Sequence, residues 1–201
     1  MNQYIKYENL PSIPEEILLT PQQIIDAPYF GYKPEFEEMR GERARKTYFR
    51  KRVNIELKEW LLTTFSSIGP FTAGYLIINE MIGPHKDLRD LTYNYIIDAG
   101  GDDIVTTIWS GNMMGVSEEL DHWHSIRNDY QPNQQKIERV FLESLTIEPK
   151  KWCSLRSGML HSVTGTQVRP RIILSVIPLA GVHMTTDPRL AEAVKHAYEE
   201  W

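Results

Sequence analysis

Ile172-Ile173-Leu174-Ser175-Val176-Ile177 opens the most apolar run of the chain, which extends to Val182. Ser175 and Pro178 interrupt it, and it is too short to cross a membrane as a helix. Its β-branched residues make it a buried strand. Working outward, the same composition recurs at Phe71 to Asn79, Leu91 to Ile97, Ile104 to Trp109, Val140 to Ile147 and Trp152 to Leu155. Each is rich in Ile, Val, Thr, Tyr or Trp. Asp98-Ala99-Gly100-Gly101-Asp102 separates two of them and is a strong turn signal. No regular helices alternate with these strands, which disfavours a doubly wound sheet. A β-sandwich or small barrel with helical support is expected, in the class mainly β with flanking helices (α+β).

The helical parts lie on either side. Thr20-Pro21 pairs a cap with a first-turn proline and predicts a short turn through Ile25. Asn54 can cap a helix running to about Ser67, on which Leu57, Leu61 and Phe65 form one apolar stripe with Ile68. Gly69-Pro70 then ends it. Asp187-Pro188 opens a last amphipathic helix, with Leu190, Val194, Ala197, Tyr198 and Trp201 on its face. The 201 residues are read as one domain: irregular and helical support over 1–69, a β core over 70–180 and a helix over 187–201. Residues 1 to 50 are otherwise expected to be irregular.

Composition narrows the function classes. Hydrophobic residues make up 41% and charged residues 24%, so the chain is neither disordered nor of low complexity. Cys153 is the only cysteine, which excludes a disulfide scaffold; it reads as a small buried side chain. The net charge of −5 argues against a general nucleic-acid coat. Met1 to Leu10 lack an apolar signal core, so a soluble, cytoplasmic protein without membrane contact is expected. Seven basic residues fall between Arg40 and Arg52 (Arg40, Arg43, Arg45, Lys46, Arg50, Lys51 and Arg52). They could contact a polyanion, but such runs are more often a solvated face. The polar insertion from Gly111 to Gln135 is long enough to be functional, with a short helix expected at Ser117 to His122. His122-Trp123-His124 within it could face a substrate. His183 and His196 read as surface residues.

His85-Lys86-Asp87 is the chemical centre of the sequence. Residues two apart on an extended strand share a face, so an imidazole and a carboxylate can grip one metal ion. Ile82-Gly83-Pro84 before it reads as a turn at the mouth of a strand. A third ligand is offered by His161, at the middle of a short extended element bracketed by Gly158 and Gly165. Two His and one carboxylate on one face of an octahedron leave three positions open, which favours Fe(II) over zinc. Arg171 begins the strand that carries Ile173 and Ser175 on the same face. An Arg fork with a hydroxyl beside it suits the carboxylate of a keto-acid. Arg169 is a substitute on the far side of Pro170. Tyr75, Asn79, Tyr93, Asn94, Tyr95 and Trp109 stand on or beside the strands. Of these, Tyr75 and Asn94 are taken as candidate contacts to a cofactor, although core packing is the commoner role of a strand tyrosine. Arg89 could anchor a substrate anion or pair with Asp90.

In Gly83-Pro84-His85-Lys86-Asp87-Leu88-Arg89-Asp90, Gly158-Met159-Leu160-His161-Ser162-Val163 and Arg171 to Ser175, the chain resembles the Fe(II)/2-oxoglutarate-dependent oxygenase superfamily. The match holds in order and spacing over roughly residues 70 to 180. The resemblance implies a double-stranded β-helix (a jelly roll, as in cupins). It implies a dioxygenase that decarboxylates 2-oxoglutarate to succinate while oxidising a C–H bond of a substrate, most simply as a hydroxylase. By matching position, His85, Asp87 and His161 would ligate iron, and Arg171 would hold 2-oxoglutarate with help from Ser175. Ile173 occupies the place where the family often has Ser. The nucleic-acid demethylase branch has a second Arg where this chain has Ile177, so a nucleic-acid partner is disfavoured. Two other readings stay open: a cupin-like metalloenzyme that does not use 2-oxoglutarate, and a β-sandwich module that keeps the fold without the chemistry. The substrate and any homo-oligomer are not legible in the sequence.

Overall fold

Ten strands and two short α-helices are laid out over residues 4–28, 48–79, 82–87, 89–113 and 137–181, which are the residues the computed structural model describes. In chain order the strands are β1 (Ile5–Tyr7), β2 (Tyr48–Lys51), β3 (Phe71–Ile78), β4 (Ile82–His85) and β5 (Thr92–Asp98). They continue with β6 (Val105–Met113), β7 (Ile137–Leu145), β8 (Trp152–Leu155), β9 (Leu160–Thr164) and β10 (Arg171–Pro178). The helices are α1 (Pro21–Asp26) and α2 (Ile55–Thr64). Two antiparallel sheets result, one in the order β1-β8-β5-β10-β3-β2 and one in the order β4-β9-β6-β7.

The pairing from β3 onward is nested. β3 pairs with β10, β4 with β9, β5 with β8, and β6 with β7. Successive pairs fall in alternate sheets, so a folded ribbon winds into a double-stranded β-helix, the jelly roll. β1 and β2 extend the larger sheet at its two edges.

Strand alternation divides the apolar residues into two cores. Phe71, Ala73, Tyr75 and Ile77 of β3 join Ile172, Leu174 and Val176 of β10 on the outer face of the larger sheet. They pack against Ile24 of α1 and against Leu57, Leu61 and Phe65. Asn54 caps α2 as expected: its side chain accepts from the Leu57 N–H at 3.2 Å, and its amide donates to the Ile17 carbonyl at 3.1 Å. The α-helix stops at Thr64, and a 3-10 turn carries the chain to Gly69 at φ 78°. Thr20 and Gln23 form a reciprocal capping box on α1. Phe65 lies 5.1 Å from the Trp152 ring and 5.4 Å from that of Tyr93, centroid to centroid.

The second core lies between the sheets. Ile78, Ile96, Cys153, Leu155 and Ile173 come from the larger sheet, and Ile82 and Ile108 from the smaller one. Cys153 is fully buried there, as its composition suggests.

Four sequence expectations need correction. Residues 1 to 50 are not wholly irregular: β1 and the start of β2 lie in them. β1 is three residues long and gains its hydrogen bonds from β8, a partner far away in sequence. Lys51 is not on a solvated face; it is buried, and its ammonium donates to the Ala27 carbonyl at 2.7 Å. Ile82-Gly83-Pro84 is not a turn but part of β4. β6 runs on through Met113, into the start of the polar insertion. The rest of that insertion, the Arg40 to Lys46 part of the basic run, His183, His196 and the helix expected over 187–201 lie outside the described residues. Among the described residues no helix is long and apolar enough to cross a membrane.

Leu61 is fully buried and Leu62 half-exposed on the same helix. Leu61→Ala is expected to cost about 2–5 kcal/mol of unfolding free energy, and Leu62→Ala under about 0.5 kcal/mol. Chemical denaturation of the two variants checks this; equal losses would refute the placement of α2.

Candidate metal centre

β4 reaches its site through an irregularity. Ile82 faces Val163, and His85 faces His161. The step is three residues on β4 and two on β9, so β4 carries one extra residue at Gly83-Pro84. Such a bulge rotates the next residues of the strand and re-aims their side chains. Ile82 and His85, an odd number apart, would otherwise point to opposite faces; here Ile82 enters the inter-sheet core while His85 lies opposite His161. Pro84 has no N–H to leave unpaired in the interrupted ladder.

His161 is also the partner of Ile108 on β6, which is buried in the same inter-sheet core. The two imidazoles therefore share the inner face of the smaller sheet, with ring centroids 4.2 Å apart. Asp87, just past β4, brings its Oδ1 to 3.8 Å from His85 Nε2. The Asp87 N–H donates to the Ser157 carbonyl at 2.9 Å, which ties it to the turn before β9. One donor atom from each of His85, Asp87 and His161 lies within 4.8 Å of the others, near enough to converge on one ion.

The tautomers are set by geometry. His85 Nδ1 is 2.8 Å from the Gly83 carbonyl, and His161 Nδ1 is 2.8 Å from the Met159 carbonyl. A carbonyl only accepts, so each Nδ1 carries a proton, and in the neutral ring the lone pair is left to Nε2. This is the arrangement a metal-binding histidine needs. Burial, and next the neighbouring His85, push the His161 pKa down to about 4, against a partial upward pull from Asp87. The ring is neutral at physiological pH and available as a ligand.

Arg171 lies on the opposing sheet. Strand alternation puts it on the face of β10 that carries Ile173, toward the inter-sheet space. It is 3% exposed, and its Nε and Nη1 have no hydrogen-bond partner among the described residues. Burial lowers its pKa to about 10, which still leaves it charged at neutral pH. A buried cation without a carboxylate costs several kcal/mol unless a ligand supplies the anion. Ser175 is on the same face and pairs across the sheet with Asn94. Asn94 in turn faces Cys153 on β8. The inner face of the larger sheet thus carries a polar pair, Ser175 and Asn94, on the same side as Arg171.

The other sequence candidates fall elsewhere. Tyr75 does not join the site: it lies on the outer face with α2, and burial raises its hydroxyl pKa well above the usual value. The one-residue alternation that turns Arg171 inward turns Tyr75 outward, a register that its tyrosine character alone did not reveal. Tyr93 and Tyr95 pack in the same outer core. The Trp109 indole donates to Ser162 Oγ at 3.3 Å, and Asn79 is exposed past the end of β3. Arg169 is half-exposed and bound to Asp98 at 2.8 Å, so it is occupied at the rim. Arg89 pairs with Asp87 by an Nη2–Oδ2 contact of 2.9 Å. His122 and His124 lie outside the described residues.

No protein-family model matches the chain, and no curated protein matches it significantly. Solved structures with a similar course include an oxalate decarboxylase variant from Bacillus subtilis, at 10% identity and TM-score 0.35, covering 85% of this chain and 35% of that one. The ribosomal oxygenase YcfD of Escherichia coli is 12% identical at TM-score 0.37, covering 72% and 34%. HEPD of Streptomyces albus, solved with 2-hydroxyethylphosphonate and Fe(II) bound, is 15% identical at TM-score 0.28, covering 73% and 24%. This chain thus spans about a third or less of the length of these three. The jelly-roll assignment stands on the strand pairing rather than on these likenesses.

Two stability effects arise from the buried groups. With its folded pKa at about 4 and its ordinary value at 6.5, His161 binds fewer protons folded than unfolded. Its contribution is complete above pH 6.5 and is lost as pH falls toward 4, by about 3 kcal/mol for the metal-free protein. Denaturation midpoints that stay flat across that window would contradict the buried neutral ring. Arg171→Met removes, at similar volume, a buried charge whose Nε and Nη1 have no partner among the described residues. It is expected to stabilise the ligand-free protein by about 1–4 kcal/mol, read as a rise in thermal midpoint.

Proposed function

We propose that the chain is a non-haem Fe(II)- and 2-oxoglutarate-dependent dioxygenase that hydroxylates a C–H bond of its substrate. The observation that carries the reading is Arg171. Its guanidinium is buried on one wall of the inter-sheet space, with no hydrogen-bond partner for Nε and Nη1 among the described residues, and two imidazoles and a carboxylate converge on the other.

His85, Asp87 and His161 would hold the metal through two Nε2 atoms and one carboxylate, leaving other positions for exchangeable ligands. Arg171 would take a carboxylate of the keto-acid through its free Nε and Nη1, a planar fork matched to two oxygens. Ser175 and Asn94 lie on the same face farther along the sheet and would border the bound keto-acid. Ile78, Ile96, Ile108 and Ile173 keep the space between apolar, which strengthens each charged contact made there. The bound iron and keto-acid would supply the oxidising chemistry with molecular oxygen. The protein's part is to fix ligand tautomers, to present the cation and to exclude water.

Anaerobic addition of Fe(II) and then 2-oxoglutarate to metal-free protein tests this. A visible charge-transfer band at one-to-one stoichiometry is expected. Asp87→Ala should abolish it while leaving the thermal midpoint of the metal-free protein near that of the parent. Arg171→Met should keep the metal and weaken keto-acid binding by about 100-fold, as expected when one side of a buried charge pair is removed. Metal binding with no response to 2-oxoglutarate would favour the cupin-like reading, and no stoichiometric metal binding would favour the structural module.

A further inference from the structure

The Arg89 side chain is not one of the ligand candidates, yet it touches the centre. Its Nη2 is 2.9 Å from Oδ2 of Asp87, while Oδ1 of the same carboxylate faces His85 Nε2 at 3.8 Å. The two oxygens are thus turned to different neighbours. The segment that bears both residues is clamped to the turn before β9. The Asp87 N–H donates to the Ser157 carbonyl at 2.9 Å, and Ser157 Oγ donates to the Arg89 carbonyl at 3.1 Å. Ser157 is fully buried. Gly158 completes the clamp by having no side chain: a Cβ there would lie 3.2 Å from the Arg89 carbonyl oxygen and 3.1 Å from Oδ1 of Asp90. Both sides of the clamp carry metal-ligand candidates, Asp87 on one and His161 on the other.

We propose that Arg89 is a positioning residue of the metal centre, which claims one oxygen of Asp87 so that the carboxylate binds the metal through the other alone. The inference rests on the metal reading above and goes beyond it. A carboxylate is free to bind one ion through one oxygen or two. A second bond from Asp87 would fill a coordination position that the chemistry needs open. The ion pair between the Arg89 guanidinium and Oδ2 opposes that rotation. It also holds Oδ1 toward the imidazoles before metal arrives, as partners behind a metal ligand commonly do. Arg89 therefore acts through Asp87 rather than on a substrate.

Co(II) serves as the probe, because its ligand-field bands report coordination number, and the full metal-free chain is titrated. Arg89→Gln is expected to lower Co(II) affinity by about 10–100-fold. At saturation its ligand-field bands should also shift and weaken, as Asp87 closes on the ion with both oxygens. Arg89→Lys keeps the charge without the fork and should recover part of the affinity. Parental affinity with an unchanged spectrum in Arg89→Gln would overturn the proposal. So would weaker binding with an unchanged spectrum and a lowered thermal midpoint, which is the signature of a merely structural residue. Should Arg89→Gln fail to fold, Arg89→Lys carries the test, and parental affinity there overturns the proposal. The metal reading is checked separately with His161→Ala. If the parent binds no Co(II), or His161→Ala binds it as well as the parent, the metal reading fails and the proposal with it.

Discussion

Two residues of β9, Val163 and His161, face Ile82 and His85 of β4, which are three residues apart. The surplus residue at Gly83-Pro84 sets the geometry of the whole centre. It turns His85 to the inner face while Ile82 stays in the inter-sheet core, so one short strand is both anchored and armed. Asp87 then leaves the strand on the same side and is tied down by the Ser157 carbonyl. Without that extra residue, either the isoleucine or the histidine would point away from the interior.

A site of this kind is costly to build. Arg171 is charged and buried, with no partner for Nε and Nη1 among the described residues, and His161 is buried and held neutral. The outer core offsets this. Phe65, Trp152, Tyr95 and the helix leucines bury large apolar side chains on the far face of the larger sheet, each worth roughly 1.5–3 kcal/mol. One face of the larger sheet is covered by helices and needs no polar groups, while the other carries the guanidinium and the Asn94–Ser175 pair. Large apolar side chains are gathered on the outer face, and the inter-sheet face carries the buried charge.

Much of this was legible in the sequence. The strand over Arg171–Pro178, the caps at Thr20 and Asn54 and the Leu57-Leu61-Phe65 stripe depend on neighbours a few residues away, and these appear in the structure close to where they were read. The same holds for the extended element around His161. The short edge strands did not announce themselves. Ile5–Tyr7 has too few residues for an alternation to show, and the basic run ending at Arg52 carries the signature of a surface. Tyr75 shows the other limit. Being on a strand left two faces open, and only the pairing of β3 with β10 and the packing of α2 decided between them.

The sequence by itself determined the residue types of the centre, their order and the local elements that carry them, because helix caps, strand propensity and turn residues act through contacts within a few positions. The tertiary structure decided which side chains meet. The nested pairing brings residues from opposite ends of the jelly roll to one inner face, and the β4 bulge chooses the face on which His85 lies. Burial then keeps His161 neutral and leaves Nε and Nη1 of Arg171 without a hydrogen-bond partner among the described residues. The Arg89–Asp87 contact belongs to this second class as well: Asp90 was as near in sequence, and the docking of the segment on Ser157 and Gly158 decided which carboxylate the guanidinium holds. Register, burial and convergence are properties of long-range packing, and a one-residue change in strand pairing would have reversed each of them.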